Sequence, residues 1–281
     1  MGRLKRIAQA VLREMNYKKV STVKLPDITV DNLLDNQLAL ITGGTSGIGL
    51  ECARRFSRSG CKVVIAGSTQ GKLEKALSEF SDDQVKGLVI DVRNVEGMTE
   101  FVERAAGLFP DLSGVSILVN SAGVSKADSV WRVSERLYDD VMDINLKGMF
   151  FMSQAVANHM VNRGIRGHIL NVSSASALRP AKGPYEISKW GVKGMTLGLA
   201  QEFIKEGIVV NGIGPGPTTT PMVGGDNHPD NLSHVTNPSG RLAHPAEIAN
   251  LALLLVSGLC DLVVGDTLYA TGGAGTICID R

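Results

Sequence analysis

Leu38-Ala-Leu-Ile-Thr-Gly-Gly-Thr-Ser-Gly-Ile-Gly49 is the stretch that decides the fold of this 281-residue chain. Its apolar start predicts a buried strand, and glycines recur through the residues that follow. Leu50–Ser59 comes next, with apolar residues at helical spacing. The order of strand, glycine turn and helix lets backbone N–H groups approach a pyrophosphate at the positive end of the helix. A plain structural turn between strand and helix is the alternative interpretation.

Four further apolar runs predict strands, and each of them ends in small or polar residues. In an open parallel sheet, ligands bind beyond the carboxyl ends of the strands, so these residues are expected to share one edge. Strands that alternate with helical stretches are typical of doubly wound βαβ units in an α/β fold. The runs are Val85–Ile90 before Asp91-Val92, Ser116–Asn120 before Ser121-Ala-Gly123, Gly167–Val172 before Ser173-Ser174, and Ile208–Ile213 before Gly214-Pro-Gly216.

Tyr185 and Lys189 lie four residues apart, so on a helix a phenol and an ammonium share one face. A phenol normally loses its proton near pH ~10, which is too high for proton transfer at neutral pH. A nearby cation favours the phenolate, so we expect Lys189 to lower the pKa of Tyr185 and make it a usable acid or base. Because such a pair also arises by chance, its weight comes from the motifs around it.

Several motifs together, in their order along the chain, resemble those of the short-chain dehydrogenase/reductase family in its compact single-domain form. They are Thr42-Gly-x-x-x-Gly-Ile-Gly49, Asn120-Ser-Ala-Gly123, Asn145, Ser173-Ser174, Tyr185-x-x-x-Lys189 and Pro215-Gly216. The resemblance implies a Rossmann-like doubly wound parallel sheet of about seven strands with helices on both faces. It also implies an NAD(P)-dependent oxidoreductase that transfers a hydride between nicotinamide and a carbonyl or secondary alcohol.

The resemblance implies a role for each of four catalytic residues. Tyr185 would be the general acid that protonates the carbonyl oxygen during reduction, and the base in the reverse direction. Lys189 would lower the pKa of Tyr185 and hydrogen-bond the nicotinamide ribose. Ser174 would orient and polarise the substrate oxygen, since the family usually uses the second of two such serines. Asn145 would hold a water that links Lys189 to bulk solvent; without the resemblance, capping or bridging a helix is the simpler role for this residue.

The cofactor preference depends on the end of the second predicted strand, Cys61–Gly67. An NAD-preferring site usually places Asp or Glu here to hold the ribose 2′-hydroxyl, and this chain has Gly67. Because hydroxyls of Ser68 and Thr69, with Lys72, could bind a 2′-phosphate, NADP(H) is favoured and NAD(H) is the alternative. The expected cofactor-binding set is Gly43, Thr45, Ser46, Gly47, Ile48, Gly49, Ser68, Thr69, Asp91, Val92, Asn120, Ala122, Gly123, Tyr185, Lys189, Pro215, Gly216 and Thr220.

The overall composition excludes several classes of partner. A net charge of +1 gives no global attraction to nucleic acid or anionic lipid. The four cysteines are scattered without a metal or disulfide pattern, which suits a reducing, cytoplasmic location. The five histidines lack metal-ligand spacing, so we expect no metal. No apolar run is long enough to span a membrane.

The first 35 residues form a basic amphipathic extension, before a single domain over residues 36–281. Up to Lys24, seven Lys/Arg stand against one Glu, a net charge of +6. Leu4, Ile7 and Val11 fall on one face of a predicted helix. Docking of this helix on the body or on a neighbouring subunit is favoured. A weak membrane contact or an acidic partner, such as a carrier protein, through residues 3–19 are the alternatives.

The substrate is the least determined part of the prediction. In the family, the segment after Pro215-Gly216 closes the pocket, and here residues 217–240 are polar and almost free of aromatics. This favours a polar or sugar-like substrate; a 3-oxoacyl thioester (acyl-carrier) reductase and a non-catalytic dinucleotide-binding scaffold are the alternatives. The family also implies a homodimer or homotetramer, formed through the helix that carries Tyr185, where Gly191–Gly194 and Gly198–Ala200 are small enough for close packing.

Overall fold

The structure, a computed structural model, describes residues 32–81, 83–125, 129–222 and 232–278. Its centre is a seven-stranded sheet in which every pair of neighbouring strands is parallel, in the order β3-β2-β1-β4-β5-β6-β7. The prediction of a doubly wound parallel sheet is therefore confirmed. The strands are β1 Leu38–Thr42, β2 Lys62–Gly67, β3 Val85–Val89, β4 Ile117–Asn120, β5 Gly167–Val172, β6 Ile208–Pro215 and β7 Thr267–Ala270.

Helices connect the strands and form the crossovers that parallel pairing requires. A π-helical turn, Asp143–Lys147, joins the fourth helix to the fifth, and short 3₁₀ turns cover Ala175–Leu178 and Ile204–Glu206. The α-helices are α1 Gly47–Arg58, α2 Gln70–Leu77, α3 Met98–Gly107, α4 Glu135–Met142, α5 Gly148–Arg163, α6 Pro184–Phe203 and α7 Pro245–Val256.

Both faces of the sheet are covered, because alternate residues of each central strand enter different hydrophobic clusters. In β1, Ile41 belongs to a cluster that includes Phe56 of α1, whereas Leu40 belongs to one that includes Met152 of α5. Strands buried on both faces read as continuous apolar runs. Leu34 is also buried in the first cluster, so the last residues of the predicted extension 1–35 pack against the domain. Residues 1–31 lie outside the described ranges.

Two boundaries differ from the sequence prediction by two or more residues. Strand β6 continues to Pro215 instead of ending at Ile213, because Gly214 lets the ring of Tyr269 pack against the strand. A Cβ at Gly214 would lie 2.3 Å from that ring. Helix α1 begins at Gly47, inside the glycine motif, so the first turn of the helix is itself part of the motif.

Candidate active site

A cleft of about 1040 Å³ lies along the carboxyl ends of the strands. The order of the sheet reverses between β1 and β4, and ligands in open α/β sheets bind at such a point. Most of the predicted site residues line this cleft. They are Gly43, Thr45, Ser46, Gly47, Ile48, Ser68, Asp91, Val92, Ala122, Gly123, Ser174, Tyr185, Lys189, Pro215, Gly216 and Thr220.

The turn between β1 and α1 has the shape of an anion-binding site. Gly43 and Gly47 adopt positive φ angles of 66° and 54°, a conformation that favours glycine. A Cβ at Gly49 would lie 2.4 Å from the Gly43 carbonyl oxygen, so the turn closes only with glycine there. Ser46 precedes α1 in an extended conformation, and its side chain makes no capping hydrogen bond to the helix. The first N–H groups of α1 are thus available to a pyrophosphate.

Ser174, Tyr185 and Lys189 meet on the other side of the cleft. The Ser174 side chain lies close enough to the phenol of Tyr185 to favour the ionised form of the phenol. The Lys189 Nζ donates to the Val172 carbonyl oxygen at 2.9 Å and lies 5.8 Å from the centroid of the Tyr185 ring. Ser173, by contrast, is buried and donates its hydroxyl to the Lys189 carbonyl oxygen at 3.0 Å. Both serines line the cleft, but the Ser173 hydroxyl is engaged by the backbone, and it is Ser174 that acts on the Tyr185 phenol.

Burial shifts the pKa of both titratable groups. It raises the pKa of the Tyr185 phenol, and the charge of Glu186 adds to this, while the hydrogen bond from Ser174 acts in the opposite sense. Our expectation that the Tyr185 pKa is lowered by Lys189 is wrong for this structure, because the ammonium bonds the Val172 carbonyl and desolvation dominates. Burial lowers the pKa of Lys189 to about 8.

Asn145 is fully buried in the π-helical turn, and its side chain holds the backbone beside the cleft in place. Its Nδ2 donates to the Val124 carbonyl at 2.9 Å and to the Ser188 hydroxyl at 3.2 Å, and its Oδ1 accepts from the Val124 N–H at 2.8 Å. π-helical turns are frequent at functional sites. A Cβ on Gly123 would lie 3.3 Å from Asn145 Oδ1 and 3.8 Å from Lys189 Nζ, so Gly123 lies between these two side chains.

Asn120, Thr69 and Gly49 were also predicted to bind the cofactor but do not line the cleft. Asn120 is buried and donates to Ser153 at 2.9 Å and to Asn171 at 3.0 Å, which ties β4 to its neighbours. Thr69 is the exposed residue before α2, and Gly49 acts through the closure of the turn. These residues support the site rather than form its surface.

Several residues that line the cleft were absent from the predicted set. Ser121, Arg93, Thr218 and Thr219 stand within two residues of a predicted site residue, which is the signal that could have indicated them, whereas His244 at the start of α7 does not. They include Ser121, Arg93, Thr218, Thr219 and His244. Among the residues that the structure describes, no group of three or more His, Cys, Asp or Glu is placed to hold a metal ion. No helix within the described ranges is both long and apolar enough to cross a membrane.

A family model described as short chain dehydrogenase matches residues 37–231. The chain belongs to this family. The short-chain dehydrogenases and reductases are oxidoreductases that bind NAD(P)(H), so the chain is an oxidoreductase, and the cleft with its glycine turn fits such a dinucleotide. The resemblance stated from the sequence is confirmed.

Individual relatives of this short-chain dehydrogenase act on different substrates. The chain is 37% identical over 246 residues to subunit BbsD of a hydroxy(phenyl)methylsuccinyl-CoA dehydrogenase of Thauera aromatica, covering 85% of this chain and 97% of the relative. It is 34% identical to a gluconate 5-dehydrogenase of Gluconobacter oxydans, covering 85% and 95%. Among solved structures, an actinorhodin polyketide ketoreductase with NADPH is 30% identical with a TM-score of 0.78, covering 88% and 100%.

Proposed function

We propose that this short-chain dehydrogenase transfers a hydride between NADP(H) and the carbonyl or secondary alcohol of a small polar substrate. The observation that carries the proposal is that Ser174, Tyr185 and the buried Lys189 come together in one cleft, which also contains the glycine turn. A non-catalytic scaffold has no need for this arrangement of a proton donor, an orienting hydroxyl and a buried cation.

Each of the site residues has a separate role in the reaction. The nicotinamide supplies the hydride when the cofactor is bound. Tyr185 donates its phenolic proton to the carbonyl oxygen, and the Ser174 hydroxyl orients that oxygen at hydrogen-bond distance from the phenol. The Lys189 ammonium, 5.8 Å from the centroid of the Tyr185 ring, places a positive charge beside the phenolate that remains, which partly offsets the cost of its burial. Asn145 has an indirect role, because its hydrogen bonds hold the loop after β4 against α6.

The preference for NADP(H) rests on the residues at the end of β2. Gly67 carries no carboxylate to hold a ribose 2′-hydroxyl, and a Cβ there would lie 2.5 Å from the Thr45 methyl carbon. Thr45 therefore occupies the space that an acidic side chain needs. Lys72 and Lys75, one turn apart on α2, line the cleft on this side and carry positive charge suited to a 2′-phosphate. NADH is the alternative cofactor.

The substrate-side wall of the cleft supports a polar substrate. The polar residues Ser121, Thr218 and Thr219 line it, and a relative named gluconate 5-dehydrogenase acts on a polyhydroxylated acid. A coenzyme A thioester is the second candidate substrate class, favoured by the relative that is 37% identical and named for such a thioester. Residues 223–231 of the predicted substrate loop lie outside the described ranges.

We expect a panel of carbonyl compounds to separate these substrate classes. The purified protein is assayed with NADPH and with 5-ketogluconate, other keto-sugars and acetoacetyl-CoA, following loss of reduced-nicotinamide absorbance. A polar substrate predicts kcat/KM for the best keto-sugar or keto-acid at least about tenfold above that for the thioester, as hydrogen-bonding sites discriminate strongly. A higher kcat/KM for the thioester would instead indicate a 3-oxoacyl thioester reductase.

The pH dependence of the same reaction is set first by Lys189. Reduction needs a protonated Tyr185 and a charged Lys189. Burial disfavours the charged amine and lowers its pKa to about 8, whereas the Tyr185 pKa lies above its usual range. As pH rises, Lys189 loses its proton first, so kcat/KM for reduction should fall by up to about tenfold per unit above pH ~8.

A Lys189→Arg variant is the control for this prediction. Arginine stays charged throughout this range, so any residual activity of the variant should keep its plateau to higher pH. A wild-type profile that stays flat up to pH ~10, where an unperturbed lysine would titrate, would contradict the assignment of the falling limb to Lys189.

We further propose a homo-oligomer that pairs through α5 and α6. Phe150, Ile187 and Trp190 on these helices are 38%, 39% and 43% exposed, and a second copy of the chain would cover this apolar surface. Residues 1–35 would be the predicted basic extension of the domain 36–281, and a cytoplasmic location would suit its cysteines.

A further inference from the structure

His244 precedes α7 and lines the cleft, although its side chain has no role in the transfer of the hydride. The Ala246 N–H donates to its Nδ1 at 3.2 Å, and the His244 N–H donates to Oε2 of Glu247 at 2.9 Å. Arg241 holds the same carboxylate with two N–H groups, at 2.7 Å and 2.8 Å. The backbone and the ring of His244 are therefore both held in place.

The helix cap decides which nitrogen of the His244 ring carries the proton. Because Nδ1 accepts a hydrogen bond from the backbone, the proton of the neutral imidazole is on Nε2. Within the part of the chain that the structure describes, Nε2 has no hydrogen-bond or ion-pair partner. His159 and His168, by contrast, each pair with a carboxylate. The ring of His244 thus brings an unused N–H donor to the cleft.

A short chain of contacts connects His244 to the start of α1, where the pyrophosphate of a dinucleotide belongs. A Cβ at Gly47, the first residue of α1, would lie 3.1 Å from Cγ2 of Thr220. The N–H of the neighbouring Thr219 donates to the Ala243 carbonyl at 3.0 Å. The residue before His244 is therefore bonded to the same loop that contacts the start of α1.

The topology indicates which of the two phosphates is nearer to His244. Helix α1 follows β1 and α7 follows β6, and both pack on one face of the sheet, since Phe56 and Ala249 belong to one hydrophobic cluster. The nicotinamide belongs beside Tyr185, whose helix lies between β5 and β6 in the chain. His244 therefore borders the pyrophosphate from the nicotinamide side.

We infer that His244 is a binding residue that donates its Nε2–H to the phosphate on the nicotinamide side of the dinucleotide. This inference rests on the proposed function, because it assumes that the cleft binds a dinucleotide. An N–H that donates to a charged oxygen forms a stronger hydrogen bond than one between neutral groups. Because the cap already holds the ring, binding costs little further loss of side-chain freedom. The backbone of α1 and the side chain of His244 would thus hold the pyrophosphate from two helices.

The test measures three ligands with the wild-type protein and with His244→Ser, which keeps a side-chain acceptor for the helix cap but removes the imidazole N–H. NADPH is followed by its fluorescence, and two other ligands are measured by displacement of NADPH. One is 2′-phospho-ADP-ribose, which keeps both phosphates and lacks the nicotinamide. The other is adenosine 2′,5′-bisphosphate, which also lacks the phosphate on the nicotinamide side. If the wild-type protein prefers NADH, then NADH, ADP-ribose and AMP form the equivalent set.

We expect His244→Ser to weaken NADPH and 2′-phospho-ADP-ribose by about three- to thirtyfold, the usual effect of losing a hydrogen bond to a charged group. Adenosine 2′,5′-bisphosphate should stay within about twofold. His244→Asp also keeps a favoured helix cap, and it should weaken the first two ligands more than His244→Ser, because its charge repels the phosphate. His168→Ser is the matched control: it removes a histidine that pairs with Asp261 outside the cleft, and should change no constant.

Three outcomes would overturn the inference while leaving the dinucleotide site in place. Weakening of NADPH alone would assign His244 to the nicotinamide or its ribose, and equal weakening of all three ligands would make its role structural. Unchanged constants in His244→Ser would remove it from the binding site. A folded wild-type protein that binds neither NADPH nor NADH would overturn the proposed function itself, and this inference with it.

Discussion

Tyr185→Phe should lower the turnover number at least about a hundredfold, because a general acid typically contributes about 10²–10⁴ to the rate. The phenyl ring remains, so only the phenolic hydroxyl, which supplies the proton, is removed. The measurement is kcat for NADPH-dependent reduction of the best carbonyl substrate, at a pH below the pKa of Lys189. The loss should appear in kcat rather than in KM, as expected for an interaction made in the transition state.

Binding provides the control for this variant. Tyr185→Phe should bind NADPH within about threefold of the wild-type protein, since the glycine turn that receives the pyrophosphate is untouched. Its melting temperature should also be preserved. Full activity in a folded variant would remove Tyr185 from the mechanism, and equal loss of binding and turnover would make its role structural.

Gly67→Asp should weaken NADPH binding between about ten- and a hundredfold without creating tight NADH binding. The added carboxylate repels a 2′-phosphate, and like charges about 4 Å apart interact by roughly 4 kcal/mol near a protein surface before salt screens them. The new Cβ also lies 2.5 Å from the methyl carbon of Thr45, so the carboxylate cannot settle where it would hold a 2′-hydroxyl. Dissociation constants for both nucleotides measure the effect.

The double variant Thr45→Ser/Gly67→Asp tests the steric part of this argument. Serine keeps the hydroxyl, whose oxygen would lie 3.3 Å from a Cβ at residue 67, and removes the methyl group. We expect it to bind NADH about tenfold more tightly than Gly67→Asp alone, since the carboxylate then reaches the ribose. Gly107→Asp is the matched control, because it adds the same charge at an exposed position with open space around it. Tight NADH binding by Gly67→Asp alone would refute the role of Thr45.

The fold was predictable because local signals agreed along the chain. The β1 strand, the glycine turn and α1 are consecutive in sequence, and their apolar and glycine pattern has one physical interpretation. The strand ends that carry Asp91, Ser174 and Pro215 followed from parallel pairing, which brings carboxyl ends to one edge.

Features that depend on contacts distant in sequence were not predictable. Thr45 and Gly67 are separated by a whole helix and a strand, so their steric coupling appears only in the folded chain. The direction of the Tyr185 pKa shift depends on burial, and a spacing of four residues from Lys189 says nothing about desolvation. The π-helical turn around Asn145 likewise has no periodic signature in the sequence.

A titration of the purified protein with NADPH and NADH tests the central claim most directly. The fluorescence of the reduced nicotinamide reports binding of either nucleotide, without any knowledge of the substrate. We expect saturable binding of both, with NADPH bound at least about tenfold more tightly, since Gly67 leaves room for a 2′-phosphate and Lys72 offers it a positive charge. Tighter binding of NADH would contradict the cofactor preference alone, and binding of neither by the folded protein would contradict the proposed function.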